Sequence, residues 1–164
     1  MIVIRRAEIE DMRAVHDLAY EIWPAAYGEI LSRAQLDYML VKMYSLTSLE
    51  HQFHVLKHSF IIVSADEIPV GFASYSLHEN ADVYHLNKIY LRNDQQGKNL
   101  GKKMLDYVIE AIKKTGAKTL QLNVNRHNTA IHFYEKQGFK IIREEDIDIG
   151  EGFFMNDYIM ERNL

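Results

Sequence analysis

The sequence predicts an α/β fold in which a mixed, mostly antiparallel central sheet is flanked by helices. Apolar residues recur at spacings of three and four in some segments and at a spacing of two in others, which indicates both helices and strands. The polar pair Asp66-Glu67 separates an apolar run rich in isoleucine and valine, at residues 60–64, from a second run through Val70, Phe72 and Tyr75, which together predict a hairpin. Strands alternate with helices only in the second half, which favours a mixed sheet over a doubly wound parallel one.

The first half begins with a short strand at residues 2–5, where apolar residues include Ile2 and Ile4. Apolar residues at helical spacing then predict a first helix from Ile9 to Trp23, which we expect to end at Pro24 because proline lacks an N–H. Ser32 is a suitable N-cap for a second helix, and Ser48 is a suitable start for a third.

The second half alternates strands and helices. Val83 to Leu91 reads as a strand, and the long apolar periodicity that follows predicts a helix that Gly116 ends. The remaining predicted elements are a strand at Leu120–Val124, a short helix at Thr129–Gln137 closed by Gly138, and two final strands around Gly150 and Gly152.

Length and composition limit the classes of protein that this chain can represent. A chain of 164 residues without a linker or repeat predicts one domain over residues 1–164. Hydrophobic residues make up 48% of the chain, so we expect a sizeable core. The absence of cysteine excludes disulfides, thiolate metal sites and cysteine nucleophiles.

The net charge and the pattern of apolar residues indicate which partners and which location to expect. A net charge of -4 disfavours nucleic acid as a partner, because proteins that bind phosphate backbones usually carry a basic surplus. Met1 to Arg13 contains no long apolar run, so we expect neither a secretory signal nor a membrane span, and a cytoplasmic location. His51, His54 and His58 lie at helical spacing, but only Glu50 accompanies them, so we expect a solvated helix face and no metal.

The strongest chemical signal is the passage from strand to helix at Gln96-Gly97-Lys98-Asn99-Leu100-Gly101. Glycine and asparagine accept left-handed backbone angles, so this loop can point several unpaired amides at one spot. The helix dipole adds partial positive charge there, which suits a phosphate or pyrophosphate. Many helices begin in this way without a ligand, so a solvated cap is the alternative.

Two nucleotide-binding loops are excluded by spacing. The Walker pattern G-x-x-x-x-G-K-[ST] and the dinucleotide fingerprint G-x-G-x-x-G are both absent from this segment. Nucleotide hydrolysis and hydride transfer are therefore disfavoured.

At these residues the sequence resembles the GNAT superfamily of N-acetyltransferases, whose coenzyme A loop reads Q/R-x-x-G-x-G/A. Gln96 and Gly101 match the ends of that motif, and Asn99 stands where the family has its middle glycine. A second segment, Asn128 to Phe139, is similar to the later family motif N-x-x-A-x-x-F-Y-x-x-x-G-F. Because both motifs occur in the family's order, the resemblance implies a single GNAT-like domain and an acyltransferase activity.

The resemblance also implies acetyl-CoA as the acetyl donor, with no metal. It implies that one strand offers its backbone to the pantetheine arm, that the loop holds the pyrophosphate, and that residues of the second motif lie near the thioester. The implied residues are Ile89, Tyr90 and Leu91 on the strand, Gln96, Gly97, Lys98, Asn99, Leu100, Gly101 and Lys102 in the loop, and Asn128, Phe133 and Tyr134 near the thioester.

Within this resemblance, Tyr134 is the candidate general acid for the thiolate of coenzyme A. A phenol with an ordinary pKa of about 10 is protonated at neutral pH, as a general acid must be. Taken alone, a tyrosine on a short helix is more often a packing residue. The amine acceptor must lose a proton, and the candidate bases are His85, which falls where some family members carry a glutamate, and Glu21 near the end of the first helix.

The expected acceptor is the primary amine of a small molecule, such as a polyamine or an amino compound. Two alternatives remain from the sequence: an acyl-CoA-binding regulatory module without turnover, and an acetyltransferase of protein N-termini or lysines. Dimers are common in the resembling family, so a homodimer is compatible with the resemblance.

Overall fold

The computed structural model describes residues 1–78, 80 and 82–164. Seven strands in these ranges form one sheet in the order β1-β2-β3-β4-β5-β7-β6, and only β4 and β5 are parallel neighbours. This confirms the predicted mixed, mostly antiparallel sheet. The strands are β1 Ile2–Arg6, β2 Ser59–Ala65, β3 Ile68–Leu77, β4 Val83–Leu91, β5 Thr119–Asn125, β6 Lys140–Gly150 and β7 Phe153–Asn163; the helices are α1 Met12–Tyr27, α2 Arg33–Tyr44, α3 Leu46–His54, α4 Leu100–Lys113 and α5 Ala130–Lys136.

Helices cover both faces of the sheet. The α1 face is the face packed against α1, α2 and α3, and its core includes Trp23, Tyr44 and Phe72. The α4 face is packed against α4 and α5, and its core includes Met104 and Leu122. Along the described ranges, no helix combines the length and the apolar character that a membrane crossing needs.

Two predicted helix boundaries are wrong. Helix α1 does not end at Pro24 but continues to Tyr27, where the N–H of Gly28 closes it on the carbonyl of Pro24 at 3.0 Å. A proline deprives the helix of one donor only, and the carbonyl that loses it belongs to Tyr20, an exposed residue that water can reach. Helix α3 begins at Leu46, because Ser45 rather than Ser48 provides the N-cap.

A β-bulge in β4 opens the sheet. Across the β3–β4 ladder, Ser74 lies opposite Lys88 while Tyr75 lies opposite Leu86, so Asn87 is one extra residue in β4. A bulge bends its strand and increases the local twist. The pairing of β4 with β5 stops at Leu86, and the two strands separate beyond that residue. The gap between them is the place where the cavity described next is formed.

Candidate active site

A cavity of about 1000 Å³ occupies the gap between β4 and β5. Its wall combines the end of α1, the free edge of β4, the loop before α4, and α5. Most residues singled out by the sequence lie in this wall, whereas Lys98 and His85 lie outside it. The predicted residues in the wall are Glu21, Ile89, Tyr90, Leu91, Gln96, Gly97, Asn99, Leu100, Gly101, Lys102, Asn128, Phe133 and Tyr134.

Unpaired backbone amides face the cavity from the start of α4. None of the six amides from Gly97 to Lys102 has an acceptor among the described residues, and the first helical bond runs from Lys103 to Asn99 at 3.2 Å. Gly97 and Asn99 both have left-handed backbones, with φ values of 79° and 62°. Asparagine thus serves at the position where the family motif has its middle glycine, because it tolerates this conformation.

The positive field of this loop comes from its backbone and from Lys98. Lys102 is ion-paired with Asp106 one turn later at 2.7 Å, whereas the ammonium group of Lys98 donates only to the neutral side chain of Gln95 at 3.2 Å and keeps its charge. The free amides and the aligned dipoles of α4 add positive potential toward the cavity. The arrangement suits an anion with several oxygen acceptors.

The edge of β4 beside the cavity is also unpaired. From Lys88 to Leu91 the strand is paired with β3 on one side, but the described part of β5 no longer pairs with it on the other. An exposed strand edge presents N–H and C=O groups that an extended ligand can bond in the manner of an added strand.

Tyr134 brings a hydroxyl group to the same cavity. Its side chain is buried and its ring packs against those of Phe133 and Phe139, with centroids 5.4 and 5.8 Å away. The hydroxyl has no hydrogen-bond partner in the described part of the chain, yet it is not among the polar atoms sealed from solvent, so it opens to the cavity. Burial, with a smaller contribution from Tyr27, raises the pKa of Tyr134 and keeps it protonated at neutral pH.

His85 belongs to a chain of polar side chains on the α1 face. The side-chain amide of Asn123 donates to Oδ2 of Asp157 at 3.3 Å, and its carbonyl oxygen lies 2.9 Å from Nε2 of His85. Since that oxygen can only accept, Nε2 carries the hydrogen. Nδ1 lies 3.0 Å from the side-chain oxygen of Asn87, which also can only accept, so in a neutral ring Nδ1 has no hydrogen to donate to it. The ring is therefore held through Nε2.

Comparison with known proteins agrees with this geometry. The family model of the acetyltransferase (GNAT) domain matches residues 29–160, which is most of the chain. This chain belongs to the GNAT acetyltransferase family. The family and the acyltransferase activity predicted from the two motifs are thereby confirmed.

Individual relatives agree over nearly the full length. A spermidine N(1)-acetyltransferase of Thermoplasma acidophilum is 30% identical over 166 residues, covering 98% of this chain and 96% of the relative. The crystal structure of PaiA N-acetyltransferase from Thermoplasma acidophilum in complex with coenzyme A has a TM-score of 0.83 at 29% identity, covering 100% of this chain and 99% of the other. A GCN5-related N-acetyltransferase from Rhodopseudomonas palustris shares the fold, with a TM-score of 0.83 at 18% identity and coverage of 99% and 95%.

Asp157 is the residue of this acetyltransferase that the sequence analysis missed. It lies on β7, is 3% exposed, and is held by Asn123 from the cavity wall. Burial raises its pKa to about 6, which the hydrogen bond from Asn123 and the charge of Arg126 partly offset. The signal was present in the alternation of β7, because Asp157 takes an inward position between the apolar residues Met155 and Ile159.

Glu21 lies at the solvent side of the cavity wall. Its side chain is exposed, and Oε1 lies 3.4 Å from Nε of Arg92. Deeper in the wall, Tyr27 and Tyr90 share a hydrogen bond of 2.8 Å between their hydroxyl groups. Burial raises the pKa of Tyr27, so this pair is neutral at neutral pH.

The histidines of α3 do not form a ligand set. His51 and His54 are exposed at the end of the helix, while His58 lies beyond it. Within the described ranges, no group of three or more metal-ligating side chains is arranged to hold a metal ion.

Proposed function

We propose that this acetyltransferase transfers an acetyl group from acetyl-CoA to the primary amine of a small molecule, with polyamines such as spermidine as the first candidates. One observation carries the proposal: a single cavity joins a run of free amides, an unpaired strand edge and a buried tyrosine hydroxyl. The coenzyme A complex of the PaiA structure and the activity named for the Thermoplasma acidophilum relative support the donor and the acceptor class.

The three cavity features fit three parts of the donor. The amides of Gly97 to Lys102 suit the diphosphate, since several N–H groups converge beside a helix N-terminus. The β4 edge from Asn87 to Leu91 suits the pantetheine arm, whose amides can bond an open strand. The thioester then lies toward Asn128 and Phe133, next to the hydroxyl of Tyr134.

Tyr134 would act as the general acid. Its hydroxyl holds a proton at neutral pH and opens to the cavity, so it can protonate the sulfur as the C–S bond breaks. A positioned acid of this kind contributes about a hundredfold or more to the rate.

An alkyl amine is almost wholly protonated at neutral pH and must lose a proton before it can attack. The sequence proposed His85 or Glu21 as the acceptor of that proton. His85 lies outside the cavity wall and is held by Asn123 through Nε2, and Glu21 is exposed and close to Arg92. Both assignments stay predictions, and they are tested below.

The acceptor is identified most directly by a screen of polyamines, amino acids, aminoglycosides and peptides, with released thiol as the readout. We expect turnover with small aliphatic amines and the highest kcat/KM with a polyamine. Exclusive turnover of peptides would replace the small-molecule proposal with a protein acceptor. Absence of acetyl-CoA binding in calorimetry would overturn the placement of the donor.

A further inference from the structure

Asp157 is a buried carboxyl group without a cation. Its residue is 3% exposed, and Asn123 alone among the described residues donates a hydrogen bond to its side chain, at Oδ2. The other oxygen, Oδ1, has no partner in those ranges, yet it is not among the atoms sealed from solvent. A buried carboxylate is costly unless it is paired, so this position favours a cationic ligand at Oδ1.

The neighbours of Asp157 place it beside the cavity. Asn123 and Tyr27 both line the cavity, and Asn123 bonds Asp157 directly. Burial first, and the charge of Asp157 to a smaller extent, raise the pKa of Tyr27. Asp157 itself lies one side chain behind the cavity wall, and Asn123 is the residue that links it to the wall.

The charged groups around Asp157 do not neutralise it. On β6, Glu145 lies directly opposite in the ladder and adds negative charge, although Arg143 is ion-paired with it at 2.6 Å. Arg126, in the loop after β5, donates to the backbone oxygen of Asp157 at 3.5 Å and is shared with two other carboxylates, those of Glu144 and Asp146. The local field thus remains favourable for one further positive charge.

We infer that Oδ1 of Asp157 binds the ammonium group of the acceptor and takes a proton from it, which makes this carboxylate the residue that selects cationic aliphatic amines. The inference rests on the proposed function. Asn123 holds the carboxylate in place through Oδ2, and His85 holds Asn123 in turn, so both act as positioning residues.

The protons and bonds of the step balance. One N–H bond of the ammonium breaks and its proton goes to Oδ1, which frees the lone pair to form the C–N bond with the thioester carbon. The C–S bond breaks, and the sulfur takes the proton of the Tyr134 hydroxyl. A second proton leaves the nitrogen as the amide forms and restores that hydroxyl. With its pKa near 6, Asp157 then releases its proton to solvent at neutral pH.

The test compares Asp157→Asn with a matched control, Glu161→Gln, which removes a carboxylate from the same strand where it bonds Gln121. With spermidine as the amine probe, we expect Asp157→Asn to raise KM by about 10-fold or more, because a charge-assisted hydrogen bond is lost. Affinity for coenzyme A, measured by calorimetry, should stay unchanged. The control should leave both values within about twofold of the unsubstituted enzyme.

A pH profile separates a chemical role from a structural one. In the unsubstituted enzyme, kcat/KM should fall on the acid side as Asp157 becomes protonated near pH 6. Asp157→Asn should abolish that acid limb, while His85→Gln should keep it. An unchanged KM and acid limb in Asp157→Asn would overturn the inference, and turnover that still requires Tyr134 would leave the proposed function standing.

A variant that fails to fold would show itself by loss of coenzyme affinity. In that case Asp157→Glu provides the test, because it keeps the negative charge while moving it by one methylene. Retention of the acid limb in this variant supports the inference, and its disappearance overturns it.

Discussion

The two faces of the sheet differ in how they are built. The core of the α4 face is apolar apart from tyrosine hydroxyls, and the neighbouring anion site consists of backbone amides. The α1 face contains the buried ammonium of Lys88 and the polar chain from Asp157 to Asn87. Three sealed polar atoms in the described ranges have no partner, namely Trp23 Nε1, Tyr44 Oη and, next to the strand β2, His58 Nδ1. In the proposed arrangement, a donor site built from backbone groups leaves the core apolar, whereas recognition of the acceptor by side chains requires polar groups to be buried, at a cost in stability.

The largest expected effect concerns the hydroxyl group of Tyr134. Tyr134→Phe should lower kcat about 100-fold or more and leave coenzyme affinity nearly unchanged, because only the proton is removed. Steady-state kinetics and calorimetry check this. Tyr107→Phe is the matched control, since Tyr107 packs against the same core but does not line the cavity. Equal kcat in the Tyr134→Phe enzyme would remove Tyr134 from the mechanism.

The next effect concerns the folding stability that is lost by burying Lys88 on the α1 face. Burial lowers the pKa of Lys88 from 10.5 to about 8, and its ammonium group donates to Oε1 of Gln52 at 2.7 Å. Between these two pH values the unfolded chain has Lys88 protonated while the folded one loses that proton, so Lys88 should contribute a rise of about 3 kcal/mol with pH to the free energy of unfolding. Buried tyrosines, whose pKa values are raised, act in the opposite direction near pH 10, so the measured quantity is a difference. In urea denaturation, the free energy of unfolding of the unsubstituted protein should rise with pH relative to that of Lys88→Met.

The exposed lysine Lys103 provides the control for that measurement, because Lys103→Met should preserve the rise with pH. Parallel stability curves for Lys88→Met and the unsubstituted protein would mean that the ammonium of Lys88 is not destabilised by burial.

A smaller effect is expected at the amide run on the donor side. Gly101→Asp should weaken coenzyme affinity about 10-fold, because its negative charge repels the diphosphate while remaining favourable to the start of α4. Gly101→Ala separates charge from volume, since an added Cβ would meet the ring of Phe133 at 3.5 Å, an ordinary contact. Calorimetry should show a much lower affinity for coenzyme A in Gly101→Asp than in Gly101→Ala. Unchanged affinity in Gly101→Asp would place the diphosphate elsewhere.

The smallest effects are expected for the two bases predicted from the sequence. His85→Ala and Glu21→Gln should each lower kcat by about threefold or less, since His85 lies outside the cavity wall and Glu21 is exposed. The pH dependence of kcat is the measurement. A flattened pH profile in His85→Ala would mean that the imidazole accepts the proton of the amine. The proposed contrast between a donor site made of backbone groups and an acceptor site with a carboxylate would then be wrong.

Local patterns predicted which short segments line the cavity. The Gln96–Gly101 loop, the Asn128–Phe139 motif and Tyr134 are short segments whose conformation follows from their own residues, and all three reach the cavity. The end of α1 was predicted wrongly. The rule that Pro24 stops a helix does not consider that water can reach the exposed Tyr20, whose carbonyl loses its donor in the helix.

The pairing of strands that are distant in the sequence decided where Asp157 lies. Asp157 reaches Asn123 because β7 inserts between β5 and β6, so two residues separated by 34 positions in the chain share one hydrogen bond. Lys88 reaches Gln52 in the same way, across the packing of α3 on the sheet. The alternation of each strand indicates which side chains point inward, but it carries no information about which strand will be the neighbour.

The amino-acid sequence alone determined the helices and strands and the left-handed turns at Gly97 and Asn99, because these depend on interactions within a few residues. It also determined the family, because both motifs are short segments of the chain. Only the tertiary structure decided where the sheet opens and that a buried carboxylate lies behind Asn123 in the cavity wall. Both depend on the bulge at Asn87 and on the strand order, which are settled by the packing of all elements together.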